Sequence, residues 1–237
     1  MLSTRSAHIS SLSTRDITAR SRPILALPIG SCEQHGPHLP LDTDTRIAMA
    51  LCERLASAHK NILIAPAITI SASGEHDLFA GTLSIGTAAL TTVLVETVRS
   101  AAWATGIVLI NGHGGNAQAV NAAVAVLRGE QRLVTAWWPR LDYSNEYADS
   151  HAGHTETSLM LAIAPDSVQM NLAEVGVTSP LAEIADKLRS HGVSSVSPNG
   201  VLGDPRTATA AHGQELLVYF TTQLLNHVEQ ETATWVH

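Results

Sequence analysis

The sequence is poor in cysteine, in basic residues and in long apolar runs. Its two cysteines, Cys32 and Cys52, are too few for a disulfide framework. Lysine and arginine number 14 against 21 acidic residues, so the charge does not favour nucleic acid or an anionic membrane as a partner. No apolar run approaches the roughly 18 residues of a membrane span, and the first residues lack the apolar core of a signal peptide. These absences predict a cytoplasmic protein that binds neither nucleic acid nor a membrane.

Apolar residues make up 45% of the 237-residue chain, which is enough to build one large hydrophobic core. The polar residues 1–22 are predicted to form a flexible arm, and residues 23–237 a single domain. Within the domain, short apolar runs alternate with segments of helical periodicity. Strands are predicted at 24–29, 62–65, 107–110 and 133–137, and helices at 45–59, 87–104, 117–128 and 207–230. This alternation predicts an α/β fold with a mainly parallel sheet covered by helices on both faces.

Polar clusters follow the predicted strands at their carboxyl ends, where open α/β sheets bind their ligands. After the first strand, the run GSCEQHGPHLPLDTD carries Glu33, His35 and Asp44, and after the third strand NGHGGN carries His113. Each has a simpler structural interpretation. Asp44 could cap the following helix, His35 could bond to its own loop, and the turn around His113 matches the dinucleotide-binding pattern G-x-G-x-x-A. The acidic residue which that pattern requires at the end of the next strand is missing.

A further cluster, HAGHTETS, lies beyond the fourth strand and carries His151 and Glu156. Glu156 could simply be an acidic residue in the first turn of a helix, where the helix dipole stabilises it. Alternatively, Glu156 completes a metal site and His151 is the catalytic proton carrier, because an imidazole titrates near neutral pH.

Other side chains near this edge of the sheet are candidate substrate contacts. Glu75 and His76 follow the second strand, and a surface loop would also explain them. The aromatic residues between the fourth strand and His151 are Trp137, Trp138, Tyr143 and Tyr147. They could line a groove for an aromatic residue of a substrate, or they could pack within the loop.

Five of these side chains are of metal-ligand type, and none is a thiolate: Glu33, His35, Asp44, His113 and Glu156. Two imidazoles and three carboxylates suit Zn²⁺, Fe²⁺ or Mn²⁺ and disfavour a structural cysteine-type zinc site. Five ligands with one shared carboxylate are what a two-metal centre needs, with its ions about 3.5–4 Å apart. The sequence therefore predicts a dinuclear hydrolytic centre.

Three motifs in order carry a resemblance to a known family. PIGSCEQHGPHLPLDTD, NGHGGN and HAGHTETS resemble the signatures of the creatininase family of metal-dependent amidohydrolases, over about residues 24–163. SGEHDLFAGTLSIG (73–86) and NGVLGDPRTATAAHG (199–213) resemble one branch, the creatininase-family peptidases of the mycofactocin system. With them the likeness extends over nearly all of the chain.

The resemblance implies a three-layer α/β/α fold around a dinuclear centre of Fe²⁺, Zn²⁺ or Mn²⁺. It implies that Glu33, Asp44 and His113 hold one ion. His35, Asp44 and Glu156 would hold the other ion, with Asp44 shared between the two.

The chain departs from the family pattern directly after the second-motif histidine. Members that hydrolyse creatinine carry Tyr-Glu there, and that glutamate is a ligand, whereas this chain has Gly114 and Gly115. The departure disfavours creatinine as the substrate and makes Glu156 the substitute ligand. His151 matches the catalytic histidine of the family.

The mycofactocin branch implies a peptidase that removes a C-terminal Val-Tyr dipeptide from a precursor peptide already modified by a radical enzyme, as a step in redox-cofactor biosynthesis. It also implies a homo-oligomer. Two alternatives remain at this point. The chain could hydrolyse a small cyclic amide or a formamide, for which its site would be closed rather than open, or it could be a noncatalytic metal-binding scaffold.

Overall fold

A central parallel sheet forms the middle layer of the protein. The computed structural model describes residues 7–141 and 149–235. The strands are β1 (Ile24–Ile29), β2 (Ile62–Ile64), β3 (Gly106–Asn111) and β4 (Val134–Trp137). They form a four-stranded sheet in the order β2-β1-β3-β4, and every pairing is parallel. The order places β1 and β3, which precede the first two predicted metal-ligand clusters, side by side at the centre of the sheet.

Helices cover both faces of this sheet. They are α1 (Thr14–Thr18), α2 (Thr43–Ala58), α3 (Gly86–Ser100), α4 (Ala117–Gly129), α5 (His154–Ile163), α6 (Leu181–His191) and α7 (Ala210–Thr232). The predicted strands and helices are all present, with ends that differ by up to four residues. Helix α6 was not predicted, although the spacing of Leu181, Ile184 and Leu188 fits an amphipathic helix.

Alternation along the strands divides the apolar side chains between two layers, because successive residues of a strand point to opposite faces. On one face, Ala26 and Val108 pack with apolar residues of α2, α5 and α7. On the other face, Leu27 and Leu109 pack with those of α3 and α4. Burial on both faces explains why the strands are continuously apolar, and the predicted three-layer α/β/α architecture is confirmed.

Two glycines allow the backbones after β1 and β3 to approach the start of α2. A Cβ on Gly30 would lie 2.1 Å from Oγ1 of Thr45, and a Cβ on Gly112 would lie 2.4 Å from the carbonyl oxygen of Asp44. Any larger residue would push these segments apart. The close approach brings Asp44 next to the NGHGGN turn.

The predicted arm, residues 1–22, contains ordered structure in its described part. A 3₁₀ helix spans Ile9–Ser11, and a capping box between Ser13 and Asp16 stabilises the N-terminus of α1. His8 forms an isolated parallel bridge with Ile64 at the end of β2. None of the helices described in residues 7–141 and 149–235 is long and apolar enough to cross a membrane.

Candidate metal centre and active site

The predicted metal ligands and the predicted catalytic histidine converge at the carboxyl edge of the sheet. Glu33, His35, Asp44 and His113 are buried there, and His151 is buried beside them. They come from the loop after β1, the first turn of α2, the turn after β3 and the segment before α5. Parallel strands end at the same edge, so residues distant in sequence meet at this point.

Asp44 lies between the imidazoles of His35 and His113. Its Oδ1 is 3.1 Å from Nε2 of His35, and its Oδ2 is 3.1 Å from Nδ1 of His113. The Ser31 hydroxyl donates a hydrogen bond of 2.8 Å to Oδ2. Helix α2 begins at Thr43 with Asp42 as its N-cap residue, so Asp44 is not the helix cap. Each oxygen of the carboxylate therefore faces a different histidine, an arrangement compatible with a carboxylate shared between two ions.

These opposite charges shift the pKa values of the metal-free centre. Burial opposes the charge of His35, but the carboxylates of Asp44, Glu156 and Glu33 raise its pKa to about 10. Burial likewise opposes ionisation of Asp44, yet the imidazolium charges of His35 and His113 lower its pKa well below the usual range. Without metal, the protein thus neutralises its carboxylates with protonated histidines.

Glu33 shows that this neutralisation is incomplete. The residue is fully buried, and neither carboxylate oxygen has a hydrogen-bond partner in the described part of the chain. Its Oε2 lies 3.1 Å from Nε2 of His113, and its Oε1 lies 3.4 Å from Nε2 of His76. A buried carboxylate without hydrogen bonds is strongly destabilised unless cations compensate its charge. The His113 imidazolium beside Glu33 is shared with Asp44, so one positive charge faces two carboxylates. The donor set around Glu33 therefore fits a bound metal ion.

Glu156 reaches the centre from the first turn of α5. Its Oε2 accepts a hydrogen bond of 2.6 Å from the amide of Ala152 and lies 3.9 Å from Nε2 of His35. Ala152 adopts the left-handed region, with φ of 52°, in the turn that orients this amide. Burial raises the pKa of Glu156 to about 8.

His151 is held in one orientation by the backbone of the first motif. Its Nε2 lies 2.8 Å from the carbonyl oxygen of Gln34, which can only accept, so Nε2–H is the donor. Nδ1, which lies 3.8 Å from Oε1 of Glu33, therefore carries the lone pair toward the centre. Burial and the positive charges of His35 and His76 lower the pKa of His151 well below its ordinary value. A neutral imidazole facing the site can accept a proton.

Gln34 was not predicted as a site residue. Its side-chain amide donates to Nδ1 of His76 over 2.9 Å and to the carbonyl oxygen of Gly200 over 3.2 Å. It thus joins the first motif to the loop before α7. Its place between Glu33 and His35 in the first motif was the signal that could have identified it.

Glu75 and His76, which were predicted as substrate contacts, lie directly against the predicted metal ligands. Oε1 of Glu75 is 3.3 Å from Nε2 of His113, and His76 is buried against Glu33. A Cβ on Gly115 would lie 2.0 Å from Oε1 of Glu75, so the glycine provides space for this carboxylate. A negative charge against this turn also disfavours the dinucleotide interpretation of NGHGGN, because it would repel a phosphate.

Several combinations of these side chains could hold an ion. In the described residues, three groups bring their ligand atoms within 4.8 Å of one another: Glu33, His76 and His151; His35, His151 and Glu156; and Glu33, His35 and Asp44. Glu33, His35 and His151 each belong to two groups, so the groups form one continuous cluster.

Two cavities meet at this cluster. The first, the Trp138 cavity, has a volume of about 560 Å³ and is lined by His113, Glu156 and Trp138 among others. The second, the His151 cavity, has a volume of about 830 Å³ and is lined by His113, Glu156 and His151 among others. His113 and Glu156 therefore border both cavities.

The predicted aromatic contacts separate in the structure. Trp138 is half-buried and lines the Trp138 cavity. Trp137 instead packs in the hydrophobic core as the last residue of β4, because alternation along the strand turns its side chain away from Trp138. Its interpretation as a substrate contact is not supported by this position. Tyr143 and Tyr147 lie outside the described residues.

Comparison with known proteins gives consistent results. The family model for creatininase, described as creatinine amidohydrolase, matches residues 10–228. The mycofactocin precursor peptide peptidase of Mycolicibacterium smegmatis is 52% identical over 200 residues, covering 82% of this chain and 79% of that protein. The protein of that name from Mycobacterium ulcerans is 47% identical over 219 residues, covering 89% of this chain and 86% of that protein.

Solved structures agree with the fold. A crystal structure of creatinine amidohydrolase (creatininase) matches with a TM-score of 0.80 at 24% identity, covering 96% of this chain and 98% of that chain. The family model spans most of the sequence, and the motifs that suggested the family lie together at one edge of the sheet. The chain therefore belongs to the creatininase family, whose members are metal-dependent amidohydrolases.

Proposed function

We propose that this chain is a cytoplasmic, dinuclear metal-dependent peptidase that removes the C-terminal Val-Tyr dipeptide from a modified mycofactocin precursor peptide. Relatives that are 47% and 52% identical and carry the name mycofactocin precursor peptide peptidase support the substrate. Glu33, with two buried oxygens that have no hydrogen-bond partner in the described residues, carries the metal part of the proposal. The glycines at 114 and 115 disfavour creatinine.

The chain's own residues would hold two ions as follows. Glu33, Asp44 and His113 hold one ion, and His35, Asp44 and Glu156 hold the other. Together with Glu75, the cluster contains four carboxylates, whose charge two divalent cations would balance. Fe²⁺, Zn²⁺ and Mn²⁺ all suit this mixture of carboxylates and imidazoles. When bound, such ions polarise a scissile carbonyl and lower the pKa of a water molecule.

His151 moves the proton in this scheme. Its neutral Nδ1 faces the centre, where it accepts a proton from the attacking water and then donates it to the departing amine of the dipeptide. The hydrogen bond from Nε2–H to Gln34 keeps the ring in the tautomer that this transfer requires. Glu75, His76 and Trp138 remain the proposed substrate contacts.

The shape of the site favours a peptide over a small ring. A compact cyclic amide needs one closed pocket, whereas the Trp138 cavity and the His151 cavity both border the cluster and share His113 and Glu156 in their walls. A chain that crosses the cluster could place residues in both cavities. The two volumes fall in the range of about 300–1,000 Å³ that is usual for ligand sites.

Mass spectrometry of a processed precursor tests the proposal. A radical-modified precursor ending in Val-Tyr is expected to lose the mass of that dipeptide when it is incubated with the metal-loaded protein. A chelator should block the loss, and Fe²⁺ or Zn²⁺ should restore it. An unchanged peptide with metal-loaded protein would contradict the peptidase and would favour a small cyclic amide or a formamide as the substrate.

Metal binding is expected to release protons. In the metal-free protein His35, with its pKa raised to about 10, is protonated at pH 7, whereas a histidine must be neutral to ligate a metal. The apparent affinity for Zn²⁺ should therefore rise with increasing pH and fall with decreasing pH. Calorimetric titrations of Zn²⁺ in buffers of different ionisation enthalpy should show a net release of protons. Binding heats that are independent of the buffer would contradict this ligand assignment.

A further inference from the structure

Arg140 stands in the wall of the Trp138 cavity and forms no ion pair with a carboxylate of the described residues. Arg140 lines this cavity, and its guanidinium carbon lies 4.5 Å from the centroid of the Trp138 ring. In the described residues, no carboxylate lies within 4.0 Å of its nitrogens. This cation–π contact uses none of the guanidinium N–H groups as hydrogen-bond donors to a carboxylate, so they can bind an anionic group.

The arginine in the wall of the His151 cavity, Arg189, does have an acidic partner. Arg189 lines the His151 cavity, but its guanidinium forms an ion pair with Asp186 on the same helix. The His151 cavity also contains the acidic side chains of Glu75 and Asp77. Both cavities also contain carboxylates, among them Asp149 in the Trp138 cavity, so the difference lies in the arginines: Arg140 forms no ion pair with a described carboxylate, whereas Arg189 does.

The wall of the Trp138 cavity combines apolar side chains with Arg140, the cluster and a few further polar residues. The apolar side chains in its wall are Ile47, Leu141, Leu159, Leu181 and Phe220. Asp149 also faces the cavity, where its carboxylate accepts a hydrogen bond of 3.3 Å from the amide of Thr155. An aromatic side chain with an adjacent carboxylate matches this combination of apolar wall and free guanidinium.

We propose that Arg140 binds the terminal carboxylate of the peptide and that the departing dipeptide occupies the Trp138 cavity. The planar guanidinium can donate two parallel hydrogen bonds to a carboxylate, which fixes its direction as well as its position. The anchored carboxylate then determines which peptide bond reaches the cluster at His113 and Glu156. The rest of the precursor extends into the His151 cavity. This inference rests on the proposed function and adds to it the residue that selects a free C-terminus.

Binding of the product dipeptide tests the inference without cleavage. Val-Tyr and its C-terminal amide would be titrated calorimetrically into the metal-loaded wild type, Arg140→Gln and Arg189→Gln. The wild type should bind the acid about 10- to 100-fold more tightly than the amide, as expected for hydrogen bonds to a charged group. Arg140→Gln should lose this preference, and the matched control Arg189→Gln should keep it. Arg140→Lys should keep only part of it, because lysine cannot form the bidentate pair.

The outcome for Arg140 is separable from the outcome for the peptidase. Equal affinity of the wild type for acid and amide, or an acid preference that persists in Arg140→Gln, would overturn the inference even if the precursor is cleaved. If the precursor is not cleaved, the proposed function fails, and the dipeptide titrations still decide whether Arg140 binds a carboxylate. If the enzyme cleaves the precursor, Arg140→Gln should raise the KM for the precursor with a free C-terminal carboxylate. It should leave the KM for the precursor with a C-terminal amide unchanged.

Discussion

Replacing His151 with alanine is expected to lower kcat by about 10²- to 10⁴-fold, the usual contribution of a general acid–base residue. The loss follows from the position of Nδ1, which faces Glu33 and the centre while Nε2–H is bound to the Gln34 carbonyl oxygen. The metal content should not change, because the proposed ligands remain in place. Cleavage kinetics on the modified precursor measure kcat, and elemental analysis of the same preparation measures the metal content.

His59→Ala provides a matched control for this substitution. His59 follows the last residue of α2, whereas Asp44 lies in the first turn of that helix. About 14 residues of helix separate the two, or roughly 20 Å at 1.5 Å per residue. The control should retain wild-type turnover. A His151→Ala variant with wild-type turnover and normal metal content would support the noncatalytic scaffold or assign the proton transfer to another residue.

Replacing Glu156 with glutamine should remove one of two ions and most of the activity. A carboxylate that ligates a metal is lost, and even the loss of a group that only hydrogen-bonds to a ligand weakens metal affinity by about 10- to 100-fold. The substitution barely changes the side-chain volume, so the fold should persist. Elemental analysis should give about one ion per chain in this variant, and circular dichroism should match the wild type.

Glu75→Gln is the informative comparison for Glu156. Both carboxylates lie within 4.0 Å of a proposed histidine ligand, Glu75 beside His113 and Glu156 beside His35. The proposal assigns ligation to Glu156 and substrate contact to Glu75, so Glu75→Gln should keep both ions. If Glu75→Gln loses an ion and Glu156→Gln keeps two, the fifth ligand is Glu75, and the space provided by Gly115 serves that purpose.

The layout of the centre could be predicted from sequence because it follows from the topology. In a parallel sheet, each residue that directly follows a strand lies at the same edge. Glu33 and His113 follow the neighbouring strands β1 and β3, so their proximity required only the right strand assignment. The three-layer fold followed from the same alternation of strands and helices.

Other features depended on side-chain direction and on packing between distant segments. Trp137 and Trp138 are adjacent in sequence, yet alternation sends one into the core and the other toward the cavity. Gln34 acquires its role from contacts with His76 and Gly200, which are 42 and 166 residues away. The proposed role of Arg140 depends on the absence of an ion pair between its guanidinium and any carboxylate of the described residues, which only the structure shows. Sequence patterns near each residue do not contain such information.

The central claim is that Asp44 bridges two metal ions in this cluster, and the number of ions per chain tests it most directly. Metal-free protein would be titrated with Zn²⁺ or Fe²⁺, with bound metal and precursor cleavage measured at each step. Binding should saturate at two ions per chain, full activity should be reached only when both are bound, and Asp44→Asn should lose most of both ions. Full activity at one ion per chain, or two ions retained in Asp44→Asn, would contradict the bridged centre.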